Sequence, residues 1–301
     1  MADQAWFLNL DAEVELGLLH GYTAGHRTQD QVARHLAACA ALTLGDPIYG
    51  RDVVERQLPV FCWCPTPSAI GTLDGAGLRA TRGPDLGVLR RANDRAWTVA
   101  FADPAIGRRF VTAADDWRRL LLDQRPATGA WRLKRRFGFA GRGQRRLRAA
   151  PSADDLNWIA ASLRQGGLLC EAELPVFEEF SIHGYVDPGE LLLGSPVSFS
   201  TDAFGAPAGH AAPALGCGDL ALVLADAATR VASHLVGLGY FGPFGVDAFR
   251  WRSKQGLLLN PVSDVNARFT LAWSTGMGQL RERALQRHAA WSAEVSPRST
   301  R

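Results

Sequence analysis

Two tight turns set the architecture of the second half of this chain. Asp187-Pro188-Gly189 separates Glu178 to Val186 from Glu190 to Phe199, and Ser253-Lys254-Gln255-Gly256 separates Phe244 to Trp251 from Leu257 to Val262. The flanking segments carry strand-type apolar patterns, and a turn this short returns the chain antiparallel, since a parallel neighbour needs a long crossover. Antiparallel hairpins are therefore expected, with the last segment running extended through Arg268. Between the hairpins, Asp219 to Val236 is apolar nearly all round, through Leu220, Leu224 and Leu235 among others, which predicts a buried helix.

Upstream, Asp115 to Leu122 and Ala153 to Gln165 read as helices, the second stopped by Gly166-Gly167. Trp131 to Lys134 reads as a strand entering a glycine-rich loop, and Leu168 to Glu171 as a further extended segment. In the N-terminal third, Trp6 to Leu10, the helical spacing of Gln31 to Leu44, and Leu58 to Cys64 make strand, helix and strand, a small α/β unit. A last amphipathic helix, about Met277 to Trp291, precedes a polar tail expected to be disordered.

With 301 residues, 47% of them apolar, the chain can bury a substantial core. A net charge of only +3 argues against a protein that coats nucleic acid. Met1 to Leu18 carries Asp3, Asp11, Glu13 and Glu15 where a signal peptide would be basic and then apolar, and no run of eighteen uncharged apolar residues offers a membrane span. A soluble, cytoplasmic protein is expected. Cys39, Cys62, Cys64, Cys170 and Cys217 lack the second close pair of a four-ligand zinc site, so buried free thiols are expected.

The basic residues are nearly all arginine; only Lys134 and Lys254 are lysine. Lys134 leads into Arg135-Arg136-Phe137-Gly138-Phe139-Ala140-Gly141-Arg142-Gly143-Gln144. Glycines let backbone N–H groups turn toward an anion, and a compact ammonium can neutralise phosphate oxygens. Three readings stay open on this segment alone: a nucleotide phosphate loop, a solvated or general anion-binding loop, and an RNA surface, since eight arginines and lysines lie between Arg132 and Arg148.

In the extended run Asp264-Val265-Asn266-Ala267-Arg268-Phe269, alternation puts Asp264, Asn266 and Arg268 on one face. Carboxylate and amide oxygens suit a hard cation such as Mg²⁺, although a half-buried strand with a polar outer face shows the same pattern. Asp247 sits among apolar neighbours, where a lone carboxylate is costly unless paired or metal-bound. The short turn after its strand can bring it near Asp264 and Asn266; an N-cap or salt bridge is the alternative. In the run from Cys170-Glu171 to Glu178-Glu179-Phe180-Ser181-Ile182, alternation puts Glu179 and Ser181 on one side, so Glu179 can accept hydrogen bonds from ribose hydroxyls, with ordinary surface acidity as the competing explanation for any of these glutamates. Arg250, Arg252, His183 and His210 read as solvated surface more readily than as an acceptor site.

Taken in order, Lys134 with its glycine loop, Glu171 to Glu179, Asp247, then Asp264-x-Asn266-x-Arg268 resembles the ATP-grasp superfamily over about the last two thirds of the chain. The resemblance implies an α/β protein of the α+β ATP-grasp fold, two α+β subdomains gripping ATP, with a small N-terminal α/β domain. It divides the chain into 1–92, the N-terminal domain; 93–169, a central subdomain with the glycine-rich loop; 170–292, a C-terminal subdomain with the metal site; and a tail, 293–301. It implies that Lys134 holds phosphates, that Gly138, Gly141 and Gly143 form the covering loop, that Glu171 and Glu179 face the adenosine, and that Asp247, Asp264 and Asn266 hold Mg²⁺. Arg268 matches the arginine that stabilises charge near the acyl phosphate in biotin-carboxylase-like members, which makes Arg268 and Lys134 the expected catalytic pair.

Two departures stand out. Asp264 replaces the usual glutamate and has a shorter reach for bridging two metals; the family's earlier lysine is missing, with Arg95 the nearest substitute. The implied activity is ADP-forming ligation, in which a carboxylate activated as an acyl phosphate is attacked by an amine, thiol or other nucleophile. The implied partners are ATP, Mg²⁺, a small-molecule carboxylate and a nucleophile, with a homodimer allowed and no membrane. A non-catalytic relative that binds nucleotide or a partner, and an RNA-binding protein using residues 132–148, are the alternatives.

Overall fold

Hydrogen-bond pairing sorts the strands into three sheets in the computed structural model, which describes residues 3–18, 22, 39–101, 106–123, 128–138, 143–148, 150–201, 207–211 and 218–295. In the first, β1 (Ala5–Phe7), β2 (Pro59–Cys62) and β3 (Arg79–Ala80) run parallel in that order. Parallel pairing requires crossovers, and the helix Pro67–Gly75 supplies one, starting with a proline where no N–H partner is needed. Of the helix expected over 31–44, residues 31–38 lie outside the described residues and Ala40–Thr43 is helical.

The second sheet is antiparallel, with β4 (Arg109–Val111), β5 (Trp131–Arg135), β6 (Gln144–Leu147) and β7 (Leu168–Ala172) in the order β4-β7-β5-β6. The helices Ala114–Asp123 and Ala153–Arg164 bury Trp117, Leu120 and Ile159 in one cluster with Leu133, Leu168 and Cys170. Ser152 begins the second helix with a capping box: its hydroxyl accepts from the Asp155 N–H and the Asp155 carboxylate accepts from the Ser152 N–H. Such a cap contributes about 1 kcal/mol. The division expected between residues 169 and 170 cuts through β7, which pairs with both β4 and β5; the break between sheets follows Ala172.

The third sheet holds β8 (Val176–Asp187), β9 (Glu190–Leu193), β10 (Val197–Thr201), β11 (Pro207–Ala211), β12 (Gly242–Ser253) and β13 (Gly256–Asn266). Its order is β11-β10-β8-β12-β13, with β9 also on β8, and every pair is antiparallel, as the two turns require. Asp187 fixes the first turn by accepting from the N–H groups of Gly189 and Glu190 at 2.7 and 3.0 Å.

The helix Gly218–Gly237 has the length and hydropathy of a membrane span. Its Leu224, Ala227, Val231 and Leu235 instead belong to the main core with Ile182, Val246 and Val262. That core continues into the N-terminal sheet through Trp6, whose ring centroid lies 4.9 Å from that of Phe269. The helix Arg281–Val295 extends past the point where a tail was expected; residues 296–301 lie outside the described residues. Cys39, Cys62, Cys64 and Cys170 are buried free thiols, and Cys217 lies outside the described residues.

Candidate active site

The ladder between β12 and β13 sets Asp247 directly opposite Asp264, and Gly245 opposite Asn266. Residues paired across two strands share a face, so two carboxylates and an amide converge; Asn266 Nδ2 donates to Asp247 Oδ2 at 3.1 Å. Past Asp247 the register slips, Phe249 pairs with Asn260, and residues 261–263 leave the β12 ladder. Buried carbonyls there need other donors. Arg108, immediately before β4, supplies them: Nη1 donates to the Val262 carbonyl at 3.1 Å and Nη2 to the Ser263 carbonyl at 3.0 Å. Arg108 Nε donates to Glu171 Oε2 at 3.0 Å, and Glu171 Oε1 lies 2.6 Å from Lys134 Nζ. One carboxylate thus joins the lysine of β5 to an arginine that grips β13.

Arg95 makes a second clasp. Its Nε and Nη2 donate to Asp264 Oδ2 at 3.0 and 2.8 Å, and its Nη1 donates to the Arg135 carbonyl at 3.0 Å. Arg268 makes a third, with Nη2 donating to Asn266 Oδ1 at 2.8 Å, an ion pair to Glu13, and the guanidinium 4.7 Å from the centre of the Trp63 ring.

The charges respond to this arrangement. Burial opposes ionisation of Glu171, but Lys134 and Arg108 outweigh it and hold the carboxyl below the usual glutamate range. Burial opposes ionisation of Asp264 too, and Arg95 and Lys134 hold it low. Asp247 differs: burial, and then the negative Asp264 opposite, push it up to about 7 although Asn266 donates to it.

Arg95, Lys134, Glu171, Asp247, Asp264, Asn266 and Arg268 line one cleft of about 610 Å³; Arg108 and Glu13 lie behind its lining. β8 runs along it, from Val176 and Phe177, past Glu179, which pairs with Phe249, to Ser181 and His183. The lining also includes Leu10, Trp63, Arg268 and Thr270. The indole N–H of Trp63 is buried with no hydrogen-bond partner.

Most residues picked out in the sequence therefore meet: Lys134, Gly138, Glu171, Glu179, Asp247, Asp264, Asn266 and Arg268 all line the cleft. Gly143, at φ +72°, closes the loop by offering its carbonyl to the Arg135 N–H at 2.7 Å. Gly141 lies outside the described residues. Glu171 lines the cleft with Oε1 on Lys134 and Oε2 on Arg108, so it also links the two cations.

His183 is corrected in place. It is 1% exposed, with Nε2 2.9 Å from Ser181 Oγ and Nδ1 3.0 Å from Thr270 Oγ1. Gly245 and Gly276 make room for the ring; a Cβ on Gly276 would lie 2.3 Å from His183 Cδ2. Arg250 pairs with Glu178, and Arg252 lies 4.3 Å from the centre of the Phe177 ring. The His210 side chain lies outside the described residues.

Arg108, Glu13 and Trp63 were not legible as site residues, since no local motif marks them and their partners come from remote segments. Among the described residues of the basic stretch 132–148, Arg132 and Arg146 pair with Glu173, Arg136 with Asp94 and Arg145 with Asp155.

D-alanyl-alanine synthetase A from Vibrio cholerae O1 biovar eltor superposes on 97% of this chain over 99% of its own length, with a TM-score of 0.56 at 12% identity. A biotin carboxylase β,γ-ATP complex from Campylobacter jejuni covers 96% of this chain and 70% of its own, with a TM-score of 0.56 at 11% identity. The chain has the ATP-grasp fold. Against carboxyaminoimidazole ribonucleotide synthase from Aspergillus clavatus, 89% of the chain is covered but only 64% of that larger protein, with a TM-score of 0.47 at 14% identity. No family model and no curated protein sequence matches the chain. The Lys134 sheet and the Asp264 sheet both line the cleft, as its two walls or jaws.

Proposed function

We propose that this ATP-grasp chain is an ADP-forming ligase that activates a carboxylate as an acyl phosphate for attack by an amine or another nucleophile. The observation that carries the reading is that Lys134, from one sheet, and Asp247, Asp264 and Asn266, from another, line a single cleft. The biotin carboxylase of the same fold was solved as a β,γ-ATP complex, which supports a nucleotide as occupant. The domain reading becomes 1–92, 93–172 and 173–292, with the cleft between the last two. We place the protein in the cytoplasm, with a small-molecule carboxylate and nucleophile as its other ligands.

The donor set suits Mg²⁺. Two carboxylates and an amide oxygen are hard ligands, and burial together with the facing Asp264 pushes Asp247 up, a cost that a cation would relieve. Among the described residues no three His, Cys, Asp or Glu side chains form a cluster that could hold a metal ion, so Asp247, Asp264 and Asn266 would hold the ion together with nucleotide phosphate oxygens. Bound there, Mg²⁺ would polarise the transferring phosphoryl group. Lys134 would neutralise phosphate oxygens from the facing sheet. Arg268, anchored by Glu13 and Asn266, would hold developing negative charge beside His183 and Thr270, where the carboxylate and its acceptor would meet.

The test is twofold. ATP with Mg²⁺ should raise the melting temperature, because a ligand that binds only the folded state stabilises it by mass action. ADP release in a pool of carboxylates and amines should then exceed the rate without them. Stabilisation with no ADP release under any pairing would leave a non-catalytic nucleotide-binding relative, and no stabilisation at all would end the nucleotide reading.

A pH dependence follows from Asp247. Its folded carboxyl, at about 7, lies above the unfolded value of 3.8. Between those limits the folded state holds a proton that the unfolded state has released, so this group's contribution to stability falls as pH rises to about 7. The wild-type protein without Mg²⁺ should therefore lose melting temperature relative to Asp247→Asn between pH 5 and pH 8, and Mg²⁺ should bind more tightly at the higher pH. Parallel melting curves for the two proteins across that range would contradict the assignment.

A further inference from the structure

We infer, on the nucleotide reading of the cleft, that this site takes a single divalent cation, and that the Arg95 guanidinium stands where a second would lie. A carboxylate that bridges two cations needs a free lone pair on each oxygen. Asp264 does not have them to give. Its Oδ2 accepts from Arg95 Nε at 3.0 Å and Nη2 at 2.8 Å, and its Oδ1 accepts from the Val265 N–H at 3.1 Å. The remaining contact, Nε to Oδ1 at 3.3 Å, is the longest of the set, so Oδ1 is the oxygen that can still turn to a cation shared with Asp247.

Arg95 is not readily displaced. Nη1 donates to the Arg135 carbonyl at 3.0 Å and Nη2 to the Gly138 carbonyl at 3.3 Å, so the same guanidinium is tied to the base of the glycine loop. The side chains of Arg95 and Asp264 are only 11% and 19% exposed. A cation entering on that side would strand a guanidinium and two carbonyls in a poorly hydrated wall, and a guanidinium has no lone pair with which to ligate the ion instead. The shortened acid at 264 and the arginine at 95 act together: the aspartate gives up the bridging reach of a glutamate, and the arginine supplies a fixed positive charge in its place.

Mn²⁺ counted by electron paramagnetic resonance, in the presence of a saturating β,γ-imido ATP analogue whose own binding is measured by calorimetry, tests this. Wild type should bind about one Mn²⁺ per bound nucleotide with an uncoupled spectrum, and the Arg95→Ala, Asp264→Glu double variant should bind about two with the broadened spectrum of ions roughly 4 Å apart. Arg95→Lys with Asp264→Glu is the second variant if the first does not fold; a single ammonium covers one oxygen and frees the other, so it too should gain the second ion. Two coupled ions on wild type would overturn the inference while leaving the nucleotide reading in place, as would a folded double variant that stays at one. No analogue binding to wild type would overturn the nucleotide reading and the inference with it.

Discussion

Lys134→Ala and Asn266→Ala should each lower ATP turnover by at least ~10²-fold while leaving the protein folded. Lys134 is the one lysine that lines the cleft, and its ammonium sits on the jaw opposite the carboxylates. The fold should survive its loss because Glu171 keeps Arg108 at 3.0 Å, so no buried carboxylate is left without a partner. Asn266→Ala removes one oxygen ligand, the donor to Asp247 and the acceptor that holds Arg268. Asp247 can answer by taking up a proton, which again spares the fold. The measurement is steady-state ADP release with an accepted carboxylate, beside circular-dichroism melting. Wild-type turnover in either variant would show that the site has been misassigned.

The jaws were legible because alternation and turn chemistry are local. Asp187-Pro188-Gly189 and Ser253 to Gly256 dictate hairpins wherever they occur, and the face shared by Asp264, Asn266 and Arg268 follows from strand geometry. The register that builds the site was not local. Ser253 faces Gly256 and Phe249 faces Asn260, so an unbroken ladder would set Asp247 against Val262. The slip past Phe249 carries Asp247 two residues further, to Asp264, and keeps both on the same face because the strand period is two. Pro261 is the signal that could have announced it, since proline lacks an N–H and is found in sheets mainly on edges and at bulges. β13 is an edge strand, and the slip falls at that proline. Arg108 and Glu13 stayed hidden for a different reason: their ion-pair partners Glu171 and Arg268 lie 63 and 255 positions away, and a long-range ion pair leaves no spacing pattern.

The same separation of partners makes Arg108 the residue whose loss should cost most in stability. Arg108→Met keeps the bulk and removes every donor. Glu171 would retain Lys134, but the buried carbonyl of Val262 and the half-buried carbonyl of Ser263, which the β12 ladder does not reach, would lose their donors. Leaving those carbonyls without donors costs on the order of 1–3 kcal/mol each, and a side chain that is 1% exposed leaves little water nearby to replace it. Urea denaturation should show an unfolding free energy lowered by the sum of these costs, with a lower midpoint and an unchanged slope. Arg108→Lys should recover less than half, since one ammonium cannot span a carboxylate and two carbonyls held by a planar fork. Because Val262 and Ser263 lead directly into Asp264, the methionine variant should also lose Mg²⁺-dependent nucleotide binding at urea concentrations where it is still folded. An unfolding free energy within about 0.5 kcal/mol of wild type would mean that these carbonyls do not depend on Arg108 for their partners.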